Sequence, residues 1–207
     1  MKEGAGGDLT YGVDKMAEDV FIGHLQSYGK IYSEEAGFVG EGEFRIVIDP
    51  LDGSDNFLSN FPYYGTSVAY MREDKCIVGI VSNLANGSIY IKSEKEHISG
   101  SLMKSSFRPI VKNKIGKIGI FERSYRSTYY VDKLKAKNIK YRSPGAIALS
   151  LALAHDVSFV ILEGTLRDFD VKAGMYMCED LYQHKTNDIT IICQEEKLFE
   201  KLKNILL

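Results

Sequence analysis

Residues 45–57 read RIVIDPLDGSDNF. The β-branched run Ile46–Ile48 reads as a buried strand. It ends in Asp49 and Asp52, spaced by three, with Pro50 between them and Gly53 after them. A strand that only has to fold has no need of two carboxylates at its end. Pro50 fixes its own φ and confines Asp49 to an extended conformation. Gly53 permits a tight turn and a close approach of the backbone. The stretch therefore aims two carboxylates and the Leu51 carbonyl toward one point. Three hard oxygen donors in so short a span suit Mg²⁺ or Mn²⁺ rather than zinc. The Gly-Ser-Asp-Asn that follows reads as the first turn of a helix, whose free N–H groups favour an anion such as phosphate. Asp-Pro and Asp-Gly are equally ordinary turn chemistry, and these residues alone leave both readings open.

On the N-terminal side, residues 1–12 are glycine-rich and polar. Val13, Met16, Ala17, Val20, Phe21 and Leu25 then recur at helical spacing and predict one apolar helix face. A short strand at 30–33 leads into SEEAG. On the C-terminal side, three strand-like stretches follow at 64–71, 76–84 and 88–92, with Ala-Asn-Gly as a hairpin turn. They predict an antiparallel sheet. Residues 93–116 are polar and read as irregular. Beyond them the pattern alternates between strands (117–122, 139–142, 157–164, 188–193) and helices (127–138, 145–154, 170–181, 195–207). Alternation of this kind indicates α/β layering. The reading is a single unit over 1–207, with sub-regions of about 1–105 and 106–207.

Bulk properties exclude several classes. Hydrophobic residues make up 44% of the 207, enough for a sizeable core. The net charge of -2, without a basic block, gives no support to a nucleic-acid partner. Cys76, Cys178 and Cys193 form no C-x-x-C pair and read as buried thiols in a reducing compartment. No apolar run reaches the roughly 18–20 residues a membrane span needs. No signal-peptide pattern opens the chain. The expectation is a soluble, cytoplasmic protein without a membrane partner.

Two carboxylates are too few for a pair of divalent ions, so others are sought. Glu34 and Glu35 follow a short strand and precede a glycine, where a solvated acidic loop is the ordinary reading. Asp170 opens a helix after Leu-Arg-Asp-Phe, and Asp14 heads the first helix. Capping is the ordinary role for both.

Taken in order, the motifs resemble those of the inositol monophosphatase / fructose-1,6-bisphosphatase superfamily. DPLDGSDNF resembles its D-P-[ILV]-D-G-[ST]-x-N signature. GGDLTYGVDKMAED resembles its T-x-x-D region, YSEEAG its G-E-E segment, RSPGAIALSLALA its R-x-x-G-[ST]-A-A-L helix, and LEGTLRDFDVKAG its second signature. The resemblance covers about residues 5–207. It implies a layered α/β/α/β/α sandwich of the sugar-phosphatase type, here without the N-terminal helices usual in the family. It also implies a Mg²⁺-dependent phosphomonoesterase, Mn²⁺ being an alternative ion. The family pattern assigns Glu34, Asp49 and the Leu51 carbonyl to a first Mg²⁺, and Asp49, Asp52 and Asp170 to a second. A third, weaker ion would lie near Glu34. Asp14 and Ser54 would orient and activate the attacking water. The Gly53 and Ser54 N–H groups would meet the phosphate, and Glu163 would contact substrate hydroxyls. The family also implies a homodimer.

Departures concern the surroundings of the acids. Phe169 replaces a usual Trp. Lys172 stands where a small residue is usual, either solvated or paired with a carboxylate of the site. The hairpin after Cys-Glu-Asp is shortened to LYQHKTN. A small-molecule phosphate ester is the expected substrate, inositol-1-phosphate and/or fructose-1,6-bisphosphate. Arg167, Arg142, Arg123 and Arg126 are candidate grips for a second phosphate. Two alternatives stand beside this. One is a nucleotide 3′- or 2′-phosphatase acting on 3′-phosphoadenosine phosphate or NADP, which an aromatic-lined base pocket would favour and the tyrosine-rich 123–130 leaves open. The other is a degenerate, non-catalytic binding protein.

Overall fold

A computed structural model describes residues 2–3, 9–10, 12–126 and 128–207. Two short strands, β1 (Lys2–Glu3) and β2 (Leu9–Thr10), pair ahead of helix α1 (Gly12–Leu25). The hairpin of β3 (Lys30–Ser33) and β4 (Gly37–Val39) leads to β5 (Phe44–Asp52) and the short α2 (Ser54–Leu58). A meander follows: β6 (Gly65–Arg72), β7 (Lys75–Asn83), β8 (Ser88–Ser93), β9 (His97–Ser101) and β10 (Lys104–Pro109). The alternating part comprises β11 (Gly119–Glu122), α3 (Thr128–Ala136), β12 (Tyr141–Arg142) and α4 (Ile147–Ala152). It continues through β13 (Phe159–Glu163), α5 (Asp168–Met177), β14 (Tyr182–Lys185), β15 (Ile189–Cys193) and α6 (Glu196–Leu206).

Strands β3 to β10 form an eight-stranded sheet in the order β10-β9-β8-β7-β6-β5-β3-β4, antiparallel except where β3 runs parallel to β5. The remaining strands form a five-stranded sheet in the order β12-β11-β13-β15-β14. Alternation along the strands sets the layers. Ile46 and Ile48 face α1, packing with Phe21, Ile22 and Leu25. Val47 faces the other way, with Ala69, Met71 and Val81, onto α4 and α5 through Leu149, Ala173 and Met177. The opposite sides of α4 and α5 meet Ile120, Val160, Leu162 and Ile192 of the second sheet. Phe121, Phe159 and Ile161 of that sheet pack on α3 and α6 through Leu134, Phe199 and Leu202. The result is the expected α/β/α/β/α order, with α4 and α5 as the middle layer.

The structure differs from the sequence reading in three places. Residues 93–116 are not wholly irregular: β9 and β10 extend the large sheet. Their polar sequences are paired by the neighbouring backbone, which needs no apolar pattern. The stretch 182–185 likewise becomes edge strand β14 against β15. On α1, Met16 and Val20 are 71% and 60% exposed, so they lie outside the predicted buried face. The buried positions of that helix are Asp14 and Glu18, four residues apart on one side. All three cysteines are buried and unbridged. Among the described residues, no helix is long and apolar enough to cross a membrane.

Candidate active site

The β5–β6 ladder is regular as far as Asp49, which lies opposite Ser67. The next pair is Asp52 opposite Gly65, so three steps on β5 face two on β6. This bulge falls on Pro50 and Leu51. Pro50 has no N–H to lose there, because β3 ends at Ser33 opposite Ile48. Asp49 and Asp52 are buried at 2% and 6% exposure. The Asp49 Oδ1 accepts from the Leu51 N–H at 3.0 Å. Asp52 reaches across to the start of α4. Its Oδ1 accepts from Ile147 N–H at 3.0 Å, and its Oδ2 from Ala148 and Leu149 N–H at 2.8 and 3.2 Å. The carboxylate satisfies helix-terminal donors that would otherwise be orphaned. The turn chemistry of this stretch is present in the Asp49 to Leu51 N–H bond, while Asp52 is turned toward α4.

Gly53 takes a left-handed φ of 88°. A Cβ there would stand 3.1 Å from both the Ala146 Cβ and the Tyr63 carbonyl oxygen. Glycine lets the chain pass this close and start α2 at Ser54. Asn56 in α2 then donates to the Tyr63 and Pro144 carbonyls at 2.7 and 2.8 Å, fixing the loop before α4.

The other acids arrive from separate elements. Glu34 lies in the β3–β4 turn, which Glu18 fixes by accepting from the Ala36 N–H at 2.7 Å. Asp170, 3% exposed, is the third residue of α5. One carboxylate oxygen from each of Glu34, Asp49 and Asp170 lies within 4.8 Å of the others. Two arginines stand among them. Arg167 donates from Nε and Nη2 to the two oxygens of Asp170, both at 3.1 Å, and its Nη2 is 2.8 Å from Glu34 Oε1. Arg123, at a left-handed φ of 59°, donates to Asp170 Oδ2 at 3.1 Å and to the Thr165 carbonyl at 2.9 Å.

These groups line a cleft of about 480 Å³ together with Asp14, Leu51, Ser54, Tyr125 and Arg126. Glu163 ends β13, 8% exposed, and is not part of that lining. Arg142 is exposed on β12 and also lies outside it. Lys172 lies 3.5 Å from Asp168 of its own helix, and Phe169 fills an apolar slot against Tyr32.

Burial, followed by the charges of Glu34, Asp52 and Asp170, raises the Asp49 carboxyl well above its ordinary range. Burial and Asp170 do the same to Asp52, against the α4 N–H groups. So much buried negative charge calls for a cation. Every anionic donor is an oxygen, and with the Leu51 carbonyl the set fits Mg²⁺ or Mn²⁺.

Two residues with a positioning role are absent from the sequence reading. Glu18 is one. Glu122, 1% exposed at the end of β11, is the other. It accepts from Gly145 N–H at 3.0 Å and from the Ser150 hydroxyl, which in turn contacts Tyr63 OH at 3.0 Å. Burial raises its carboxyl, opposed by Ser150, Gly145 and Ala146. A charged residue directly after the apolar Gly-Ile-Phe run was the available signal.

The profile of the inositol monophosphatase family matches residues 2–181. A fructose-1,6-bisphosphatase/inositol-1-monophosphatase of Methanothermobacter thermautotrophicus is 30% identical over 211 residues, spanning 91% of this chain and 74% of its own. A bifunctional NADP phosphatase/NAD kinase of Methanococcus maripaludis is 28% identical over 253 residues. That match spans 99% of this chain and 44% of the relative. A Pyrococcus horikoshii structure, described as having similarities to inositol-1 monophosphatase, superposes with a TM-score of 0.79 at 24% identity. It covers 96% of this chain and 85% of that one, and shows the shared fold.

Proposed function

The chain belongs to the inositol monophosphatase family and is a phosphatase, and we propose that it is a Mg²⁺-dependent phosphomonoesterase for a small sugar or inositol phosphate. Inositol-1-phosphate and fructose-1,6-bisphosphate are the substrates of choice. The observation that carries this is the meeting of Glu34, Asp49 and Asp170, from a turn, a bulged strand and a helix start, beside an Asp52 anchored on α4.

In this reading Glu34, Asp49 and the Leu51 carbonyl hold one ion, and Asp49, Asp52 and Asp170 a second. When bound, such ions neutralise phosphoryl charge and make water a competent nucleophile near neutral pH. The protein's own groups do the rest. Asp14 and the Ser54 hydroxyl both border the cleft, where they orient the attacking water and receive its proton. The Gly53 and Ser54 N–H groups face the phosphate at the start of α2. Arg167 and Arg123 supply planar guanidinium donors on the same wall, suited to phosphoryl oxygens. Positioning and charge neutralisation are most of what phosphoryl transfer requires.

A second reading, a nucleotide 2′- or 3′-phosphatase, draws on two observations. The NADP phosphatase/NAD kinase relative matches 99% of this chain. Tyr125, 80% exposed at the cleft beside Arg126, offers a face for a base to stack on. The retained acids speak against a non-catalytic binding protein.

Phosphate release with and without Mg²⁺ tests the proposal, over inositol-1-phosphate, fructose-1,6-bisphosphate, 3′-phosphoadenosine 5′-phosphate and NADP. Release from the first two, dependent on Mg²⁺ and lost in Asp49→Asn, is expected. Preference for NADP or the adenosine compound selects the second reading. No release from a folded, metal-saturated protein sinks both.

A further inference from the structure

Three side chains that the cleft does not use meet at the far ends of α4 and α5. His97 opens β9, His155 lies in the turn after α4, and Asp180 lies in the turn after α5. Both helices begin at the cleft, α4 on Asp52 and α5 with Asp170. At about 1.5 Å per residue, the ten residues from Asp170 to Asp180 separate the two places by roughly 15 Å.

His155 is 3% exposed, and its Nε2 is 3.1 Å from each oxygen of Asp180. The His97 ring lies nearly perpendicular to it, with centroids 4.9 Å apart. One donor atom from each of His97, His155 and Asp180 falls within 4.8 Å of the others. His97 Nε2 is buried without a hydrogen-bond partner among the described residues. A buried imidazole nitrogen left this way asks for an explanation, such as an ion. Burial, then the charges of His155 and Lys92, lowers His97 to about 4, so its ring is neutral near pH 7. A neutral ring is the form that ligates metal. Lys112 holds Asp180 from outside, 3.7 Å from Oδ2 and donating to the backbone carbonyl at 3.1 Å. Lys92 is drawn toward Glu179, 3.7 Å away.

We propose that His97, His155 and Asp180 form a second metal site, separate from the cleft, for a divalent transition metal of the zinc type. Two imidazoles and one carboxylate, with water in the fourth position, are a donor set for tetrahedral Zn²⁺. The all-oxygen donors of the cleft select differently. Bonds of about 2.0–2.1 Å place tetrahedral ligands roughly 3.4 Å apart, close to the spacing His155 and Asp180 already have. His97, only half-buried, swings in to complete the set. The bound ion clasps the large sheet, through β9, to the turns that end both helices of the middle layer. The thiols are poor competitors. Burial pushes Cys76 and Cys193 up to about 12 and Cys178 higher than its ordinary value too, so all stay protonated.

The test titrates Zn²⁺, and Co²⁺ as its coloured substitute, into the full chain with excess Mg²⁺ occupying the cleft. Calorimetry and the visible spectrum are the readouts. The expected result is one Mg²⁺-resistant Zn²⁺ and a four-coordinate Co²⁺ band. His97→Gln and Asp180→Asn each weaken binding by about 100-fold or more. Zn²⁺ raises the Tm of the wild type and not that of His97→Gln, while Mg²⁺-dependent phosphate release in His97→Gln stays at the wild-type level. Asp49→Asn leaves Zn²⁺ binding intact. The proposal is overturned if no Mg²⁺-resistant Zn²⁺ binds, or if His97→Gln binds it as the wild type does. Loss of binding in Asp49→Asn returns the ion to the cleft, and a sulfur-to-cobalt charge-transfer band moves it to a thiol. Both outcomes reject it. His97 is only partly buried and opens a strand next to the sheet edge, so its Gln variant is expected to fold and keeps the test decisive even where Asp180→Asn does not.

Discussion

Asp49 shows what a buried carboxylate costs the protein that carries it. It is 2% exposed among three other acids. In Asp49→Asn, Mg²⁺-dependent phosphate release falls by roughly 100-fold or more, while Tm measured in chelator does not fall, because a neutral amide replaces a buried charge. A drop in the chelated Tm would show that Asp49 stabilises the fold by itself. Glu122 behaves differently. Burial holds its carboxyl above the ordinary range, so the folded chain keeps a proton that the unfolded chain releases. The stability linked to that proton is full below about pH 4.3 and is lost as pH rises through the folded value. In Glu122→Gln the slope of Tm against pH above that point is therefore flatter. The variant is less stable overall by about 1–3 kcal/mol, since its NH₂ sets a donor against the Gly145 N–H where a carboxyl oxygen now accepts. An unchanged slope would remove Glu122 as its source. Asp49 and Asp52 stand out in the sequence because Pro and Gly frame them, whereas Glu34 and Asp170 read in isolation as a solvated loop and a helix cap and enter the set only through the family resemblance. Glu18 and Glu122 do not stand out. Each acts on backbone N–H groups 18 and 23 residues away, and no local spacing encodes that.

At the scale of elements, the close approach of α4 and α5 decides where Asp170 stands. A Cβ on Gly174 would lie 2.4 Å from the Leu151 Cβ. Gly174→Ala forces the helices apart, with an expected loss of about 1–3 kcal/mol in denaturant unfolding and a weaker response to Mg²⁺. Gly23→Ala is the counterpart. Nothing lies within 4 Å of its Cβ on the exposed side of α1, so a gain of about 0.5–1 kcal/mol is expected. Equal effects at both positions would contradict the packing described. Most elements could be read from periodicity, α6 and β7 among the clearest. Strands β9, β10 and β14 could not, because polar edge or near-edge strands are recruited by a neighbour's unpaired backbone. On α1 only part of the expected face is used: Phe21 and Leu25 pack on Ile46 and Ile48, while Glu18, one turn back on the same side, is buried on the Ala36 N–H.

For the molecule as a whole, the layer shared by two sheets sets how the parts depend on one another. Between β10 and β11 the chain passes through 110–118, irregular and largely exposed, with Lys112, Lys114 and Lys117 available to trypsin. Brief digestion is expected to cut there first. The two fragments should stay together on native size exclusion and separate only in denaturant, because α4 and α5 are buried against both sheets. Fragments that part under native conditions would show the middle layer to belong to one sheet alone. The same layer bears on synthesis. The inner face of β5, β6 and β7 leaves the ribosome complete by Asn83, yet α5, which covers it, starts only at Asp168. At about 5–20 residues per second, that apolar face stays uncovered for roughly 4–17 s. The nascent chain is thus most vulnerable to aggregation in mid-translation, and a holding chaperone would find Val47, Ala69, Met71 and Val81 exposed during that interval.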